Sequence, residues 1–128
     1  SGRVEAMLDH FPTLRAKARA QASTLSGGQQ KLLEIARGLL LDPKLILIDE
    51  PSIGQSPLLV DQAFGILQDL RQNGVTILLI EQNARQALQM SDYGLVLEQG
   101  LTRIEDTARN ILADDRIAQL FLGGGLKS

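Results

Sequence analysis

Two unbroken apolar runs, LILID at 45–49 and VTILLI at 75–80, constrain the fold of this chain more than any other feature. Runs of this length, bounded by turn residues, read as strands buried on both faces. Between them, Ser56-Pro57 opens a helix as N-cap and first residue. Leu59, Ala63, Ile66 and Leu70 give that helix an apolar face, and Asn73-Gly74 ends it. Strand, helix, strand at this spacing is a βαβ unit, so the two strands are expected to be parallel with a right-handed crossover. The fold class is α/β.

The flanking segments supply more helices and a hairpin. Val4, Met7, Leu8 and Phe11 recur at helical spacing, which predicts a short amphipathic helix over 3–11 ended by Pro12. From Arg15 to Ala22, polar residues alternate with alanine, a pattern read as an exposed connector in preference to an edge strand. Its charges, Arg15, Lys17 and Arg19, are expected to form a solvated face rather than a phosphate contact. Leu32, Leu33, Ile35, Ala36, Leu39 and Leu40 form one apolar stripe, and Asp42-Pro43 stops that helix. Asn83 caps a helix running through Ser91. LVLEQGLTRIE reads as a hairpin turning at Gln99-Gly100. One or two short helices are expected around Ile111-Leu112 and Ile117-Leu122, and Gly123-Gly124-Gly125 as a frayed tail. No internal repeat is present.

Composition narrows the chemistry. The chain has 128 residues, 44% of them hydrophobic, and a net charge of -2. That suits one ordinary domain or a piece of a larger one, and gives no argument for a nucleic-acid partner. With no cysteine and a single histidine, His10, it cannot build a zinc centre or a disulfide. A reducing, cytoplasmic setting is compatible with this. No apolar run approaches the ~20 residues that span a bilayer, and nothing resembles a signal peptide. The chain opens on Ser1 rather than methionine and is read as a fragment.

In open α/β sheets, ligands sit beyond the carboxyl ends of the strands. There, Asp49-Glu50 follow the first strand and Glu81-Gln82-Asn83 the second. Adjacent carboxylates point in opposite directions, so one can hold magnesium, directly or through water, while the other orients an attacking water. The plainer alternative is that acids terminate strands and cap the next helix. Upstream, TLSGGQQKLLEIARGLL places Gly27 and Gly28 where a helix begins. Ser26 and Gln29 fit a capping box. That box does not explain Gly27 and Gly28, which cost up to about 1 kcal/mol each relative to alanine inside a helix. Lacking side chains, they expose N–H groups at the positive end of the helix dipole and let an anion approach closely.

LSGGQQ followed closely by LILIDEPS resembles the ATP-binding subunits of ABC transporters. Leu25-Ser26-Gly27-Gly28-Gln29 matches the family's signature motif. Leu45 to Asp49 matches Walker B, with Glu50 in the place of the catalytic carboxylate. In EPSIGQSP, matched to the D-loop through Ser52, Gly54 and Ser56, Ser56 stands where an aspartate often does and Gln55 where leucine is usual. Gln82 occupies the switch-histidine position. That EQN tract and the ending EQGLTRIEDTARNILADDRIAQLFLGG resemble an ATPase subunit of branched-chain amino-acid importers.

The resemblance implies a partial P-loop NTPase fold, with about 1–41 as the signature and helical-subdomain portion and about 42–128 carrying Walker B, D-loop, switch and carboxyl-terminal elements. It implies ATP sandwiched between two subunits, homo- or heterodimeric. Asp49 would support Mg2+ and Glu50 would polarise water. Ser26, Gly27, Gly28 and Gln29 would clamp the γ-phosphate in trans, and Gln82 would contact it. Permease subunits would complete the assembly, with the ATPase on the cytoplasmic side of the membrane. The family's phosphate loop, G-x-x-x-x-G-K-[ST], is not found in these 128 residues; GGGLKS does not match it. The chain alone is therefore expected to be inactive. Two alternatives remain open: an ABC-type ATPase serving nucleic acid or ribosomes, or a non-catalytic binding module.

Overall fold

Pro12 both ends one helix and begins the next. It has no N–H to extend α1 (Gly2–His10), and its fixed φ suits the first position of α2 (Pro12–Arg15). The computed structural model describes residues 2–121. It divides into two units, 1–80 and 81–128.

In the first unit, Arg15 binds α1 through Asp9 at 2.5 Å and the Glu5 carbonyl at 3.0 Å. The basic run is otherwise exposed, and 16–19 forms turns followed by a bend at 20, so the connector is observed and the edge strand is not. Phe11 and Leu14 point inward and are nearly inaccessible. Each such burial contributes about 1.5–3 kcal/mol. A 3-10 turn (Ala22–Thr24) leads into α3 (Gly27–Leu39). The apolar stripe of α3 (Leu32, Ile35, Ala36, Leu39) packs with Phe11, Leu14 and Ala63 as one core.

β1 (Leu45–Asp49) pairs in parallel with β2 (Thr76–Ile80), in the register Leu47↔Leu78 and Asp49↔Ile80. Between them runs α4 (Pro57–Gln72), with Ser56 as its N-cap and Gly74 just beyond its C-cap at φ 88. The expected apolar face is present: Ala63 is buried in the core and Leu59, Ile66 and Leu70 pack against it, half-buried, while Phe64 and Leu67 are buried as well. Thr13 Oγ1 donates to Gln62 Oε1 at 2.6 Å, joining α2 to α4.

The strands are not buried on both faces. Alternate side chains point to opposite sides of a sheet. Ile46 and Ile48 face the helices, whereas Leu45, Leu47, Leu78 and Ile80 are all more than half exposed. The apolar runs hide this alternation, because their composition is the same on both faces.

In the second unit, Asn83 caps α5 (Ala84–Met90), accepting from Gln86 N–H at 3.3 Å. β3 (Tyr93–Glu98) and β4 (Leu101–Thr107) form the antiparallel hairpin. Gln99 and Gly100 both have positive φ, 50 and 76, as a two-residue type I′ turn requires. A register shift between Val96 and Leu97 marks a bulge. Two short helices follow, α6 (Ala108–Ala113) and α7 (Asp115–Phe121). Leu88, Ala108 and Ile111 form the core. A Cβ at Gly94 would strike Leu88 and Ile111, so only glycine lets them lie so close to β3. Leu122 and the triple-glycine tail lie outside the described residues.

Candidate functional site

The capping box at the start of α3 satisfies two backbone donors and leaves two others. Ser26 Oγ accepts from Gln29 N–H at 3.3 Å, and Gln29 Oε1 accepts from Ser26 N–H at 3.1 Å. The first N–H groups of a helix have no partner within it. Gly27 and Gly28 are therefore the residues whose N–H groups this cap leaves over, at the positive end of a helix of 13 residues.

The two glycines have different surroundings. Gly27 is exposed, and a Cβ placed on it would meet nothing within 4 Å. Gly28 is buried, and a Cβ there would collide with Gln55 Oε1 and Leu59 Cδ1. The space freed at Gly28 is thus taken by the protein's own side chains; the open approach lies at Gly27.

Asp49 ends β1 on the exposed sheet face, in register with Ile80. Glu50 follows in the left-handed region at φ 48, and its N–H donates to Ile80 O at 2.7 Å. A non-glycine residue there is strained, a condition that recurs at functional sites. Pro51 behind it is fully buried. The loop then turns twice, with Ile53 N–H donating to Glu50 O at 3.3 Å and Gln55 N–H to Ser52 O at 3.2 Å. Gly54 takes φ 67, and Ser56 Oγ accepts from Leu59 N–H at 3.4 Å. Ser56, expected as a D-loop residue, here has a helix-capping role.

The loop 50–56 and the first turn of α3 therefore meet at Gly28. That contact brings the first turn of α3 beside the segment that follows β1. Gln82, near the start of the second unit, is exposed, with its N–H donating to Glu81 Oε1 at 3.0 Å. Sequence reasoning missed the partnership of Gly28 with Gln55 and Leu59. Its one signal was the unusual glutamine at 55.

The fit to magnesium is limited. Among the described residues, no group of three or more histidine, cysteine or acidic side chains is placed to hold a metal ion. A magnesium ion commonly keeps its waters and takes one or two carboxylates plus substrate phosphates. Asp49, exposed at the strand end, fits one such position.

The elements define an α/β fold of the P-loop NTPase class, present in part. Residues 1–53 match the family described as ABC transporter. The high-affinity branched-chain amino acid transport ATP-binding protein BraG of Pseudomonas aeruginosa is 42% identical over 121 residues, covering 94% of this chain and 52% of that protein. The lipopolysaccharide export system ATP-binding protein LptB of Escherichia coli K12 is 34% identical over 104 residues, covering 81% and 43%. Among solved structures, the ATP-binding cassette MJ1267 of an ABC transporter superposes with a TM-score of 0.77 at 31% identity, over 95% of this chain and 49% of that one. The chain belongs to the ABC transporter ATPase family and spans about half the length of the relatives it matches.

Proposed function

We propose that this chain is the signature and Walker B portion of an ATPase subunit that hydrolyses ATP to drive import of branched-chain amino acids. One observation carries this most directly: the open, glycine-lined start of α3 offers uncapped N–H groups next to the loop that holds Glu50 in a strained conformation. Similarity to BraG, whose name states branched-chain amino acid transport, supports the solute class.

Hydrolysis is phosphoryl transfer to water, in which positioning and charge stabilisation do most of the work. Glu50 would accept hydrogen bonds from an attacking water and orient it in line. Gly27 and Gly28 N–H groups, with Ser26 and Gln29 closing the turn beneath them, donate to the γ-phosphate of ATP held by a second subunit. Asp49 would help hold Mg2+, which on binding neutralises phosphate charge. Gln82 would donate its amide N–H to a phosphate oxygen. Ser52 and Gly54 shape the loop toward the partner subunit, and Ser56 fixes its exit into α4. A dimeric cassette among the similar structures, the bacterial MJ0796, supports the two-subunit arrangement; it matches at 25% identity with a TM-score of 0.73.

The phosphate loop that grips ATP would come from outside these 128 residues, so the isolated chain would not turn over ATP. The apolar outer face of β1 and β2 would then be covered by the same missing portion. Permease subunits on the cytoplasmic side of the membrane would be the further partners; no helix of the described residues is long and apolar enough to cross a bilayer itself. The test is Mg-ATP turnover by the complete subunit. Glu50→Gln should reduce it by about 100-fold or more, the scale on which a positioned general base contributes. Turnover that survives Glu50→Gln unchanged would remove Glu50 from the reaction.

A further inference from the structure

One side chain joins the loop after Walker B to the signature turn. Within 53–56, Gln55 alone is not exposed. Its Oε1, with Leu59 Cδ1, fills the volume that a Cβ at Gly28 would need. Its Nε2 donates to Ile53 O at 3.4 Å and its backbone N–H to Ser52 O at 3.2 Å, so the side chain is folded back over its own loop. At the other end of that loop, Glu50 is held separately by its N–H bond to Ile80 O. Closely packed contacts transmit displacement because no free volume absorbs it.

We propose that Gln55 is a positioning residue: it wedges loop 50–56 against Gly28 and so sets where the Gly27 and Gly28 N–H groups point. Gly28 then serves this packing, while Gly27 provides the open approach for the anion. The proposal rests on the ATPase function above. The bulk of residue 55 does the positioning, through Oε1 and Cδ in the glutamine, so a leucine of similar bulk should substitute for it. Because Glu50 keeps its own anchor on β2, loss of the wedge should weaken engagement of ATP more than the chemical step.

The experiment compares wild type, Gln55→Ala and Gln55→Leu in the complete subunit, by hydrogen exchange at residues 26–30 and by steady-state ATPase kinetics. For Gln55→Ala we expect exchange in the first turn of α3 to be about tenfold faster, as local opening becomes easier. The KM for ATP should rise about tenfold while kcat stays within about twofold. Gln55→Leu should restore both readouts. Unchanged exchange in Gln55→Ala, faster exchange with an unaltered KM, or a Gln55→Leu protein that behaves like Gln55→Ala would each overturn the proposal. A wild-type subunit that does not hydrolyse ATP would refute the ATPase function instead, and the exchange comparison would then decide the role of Gln55 by itself.

Discussion

Two adjacent glycines in one helical turn answer to different demands, and substitution can separate them. At Gly27 the added side chain has open space, and a carboxylate at the first turn favours the helix dipole by about 0.3–1 kcal/mol. Gly27→Asp should therefore leave the complete subunit as stable as wild type, by thermal melting, while abolishing ATP turnover through repulsion of the γ-phosphate. Turnover retained in that variant would mean that no phosphate approaches here. At Gly28 the added methyl group must displace the ends of the Gln55 and Leu59 side chains, a repacking that costs about 1 kcal/mol. Gly28→Ala should lower the melting temperature, and an unchanged melt would contradict the packing role. Gln82 gives a third separation. Glutamine does not titrate, whereas histidine gains a proton near pH 6.5. Gln82→Ala should lower turnover, and Gln82→His should retain it with a new ionisation in the pH profile near neutrality. Identical profiles for wild type and Gln82→Ala would leave Gln82 as a linker residue.

At the scale of elements, end signals in the sequence were legible because they act locally. Ser26, Ser56 and Asn83 each cap the helix expected of them, and Gln99-Gly100 turns the hairpin. What the sequence concealed depends on neighbours distant along the chain. Periodicity found the face of α4 that holds Leu59, Ala63, Ile66 and Leu70, but not the burial of Phe64 and Leu67 beside it. The contact of Gly28 with Gln55 spans 27 positions and leaves no periodic trace. For the site, the acids and glycines were legible by type and spacing; which glycine is open was not. Caps also govern the carboxyl-terminal helices. Asp114 accepts from Arg116 N–H at 2.9 Å at the start of α7, and hydrogen bonds from Arg116 hold its carboxyl below the usual range. A depressed folded pKa means that its stabilisation is present above the unfolded value, about 3.9, and is lost as pH falls through the folded one. Protection from hydrogen exchange across 114–118, relative to the intrinsic exchange rate at each pH, should therefore fall at acid pH in wild type and change less in Asp114→Asn. The same pH dependence in both proteins would exclude Asp114 as the cause.

At the scale of the whole molecule, the exposed face of β1 and β2 is a row of leucine and isoleucine in register, closed by Asp49 at its end. Contiguous apolar surface of this kind promotes association, and the open edges of a two-stranded sheet invite further pairing. The 128-residue chain by itself should sediment as a dimer or larger species, and Leu47→Lys with Leu78→Lys should shift it toward monomer. A wild-type chain that stays monomeric at high concentration would show that this face is tolerated bare. In the proposed function two roles are divided across two subunits: Glu50 would act on water, and the turn at Gly27 and Gly28 would grip ATP held by the partner. Removing the first should leave an ATP sandwich that forms but does not turn over, whereas blocking the second should prevent the sandwich from forming. Sedimentation of the complete ATPase subunits with Mg-ATP distinguishes these directly. Glu50→Gln is predicted to sediment as an ATP-dependent dimer and Gly27→Asp as a monomer under the same conditions; equal ATP-dependent dimerisation of the two variants would contradict a signature turn that closes over the partner's nucleotide.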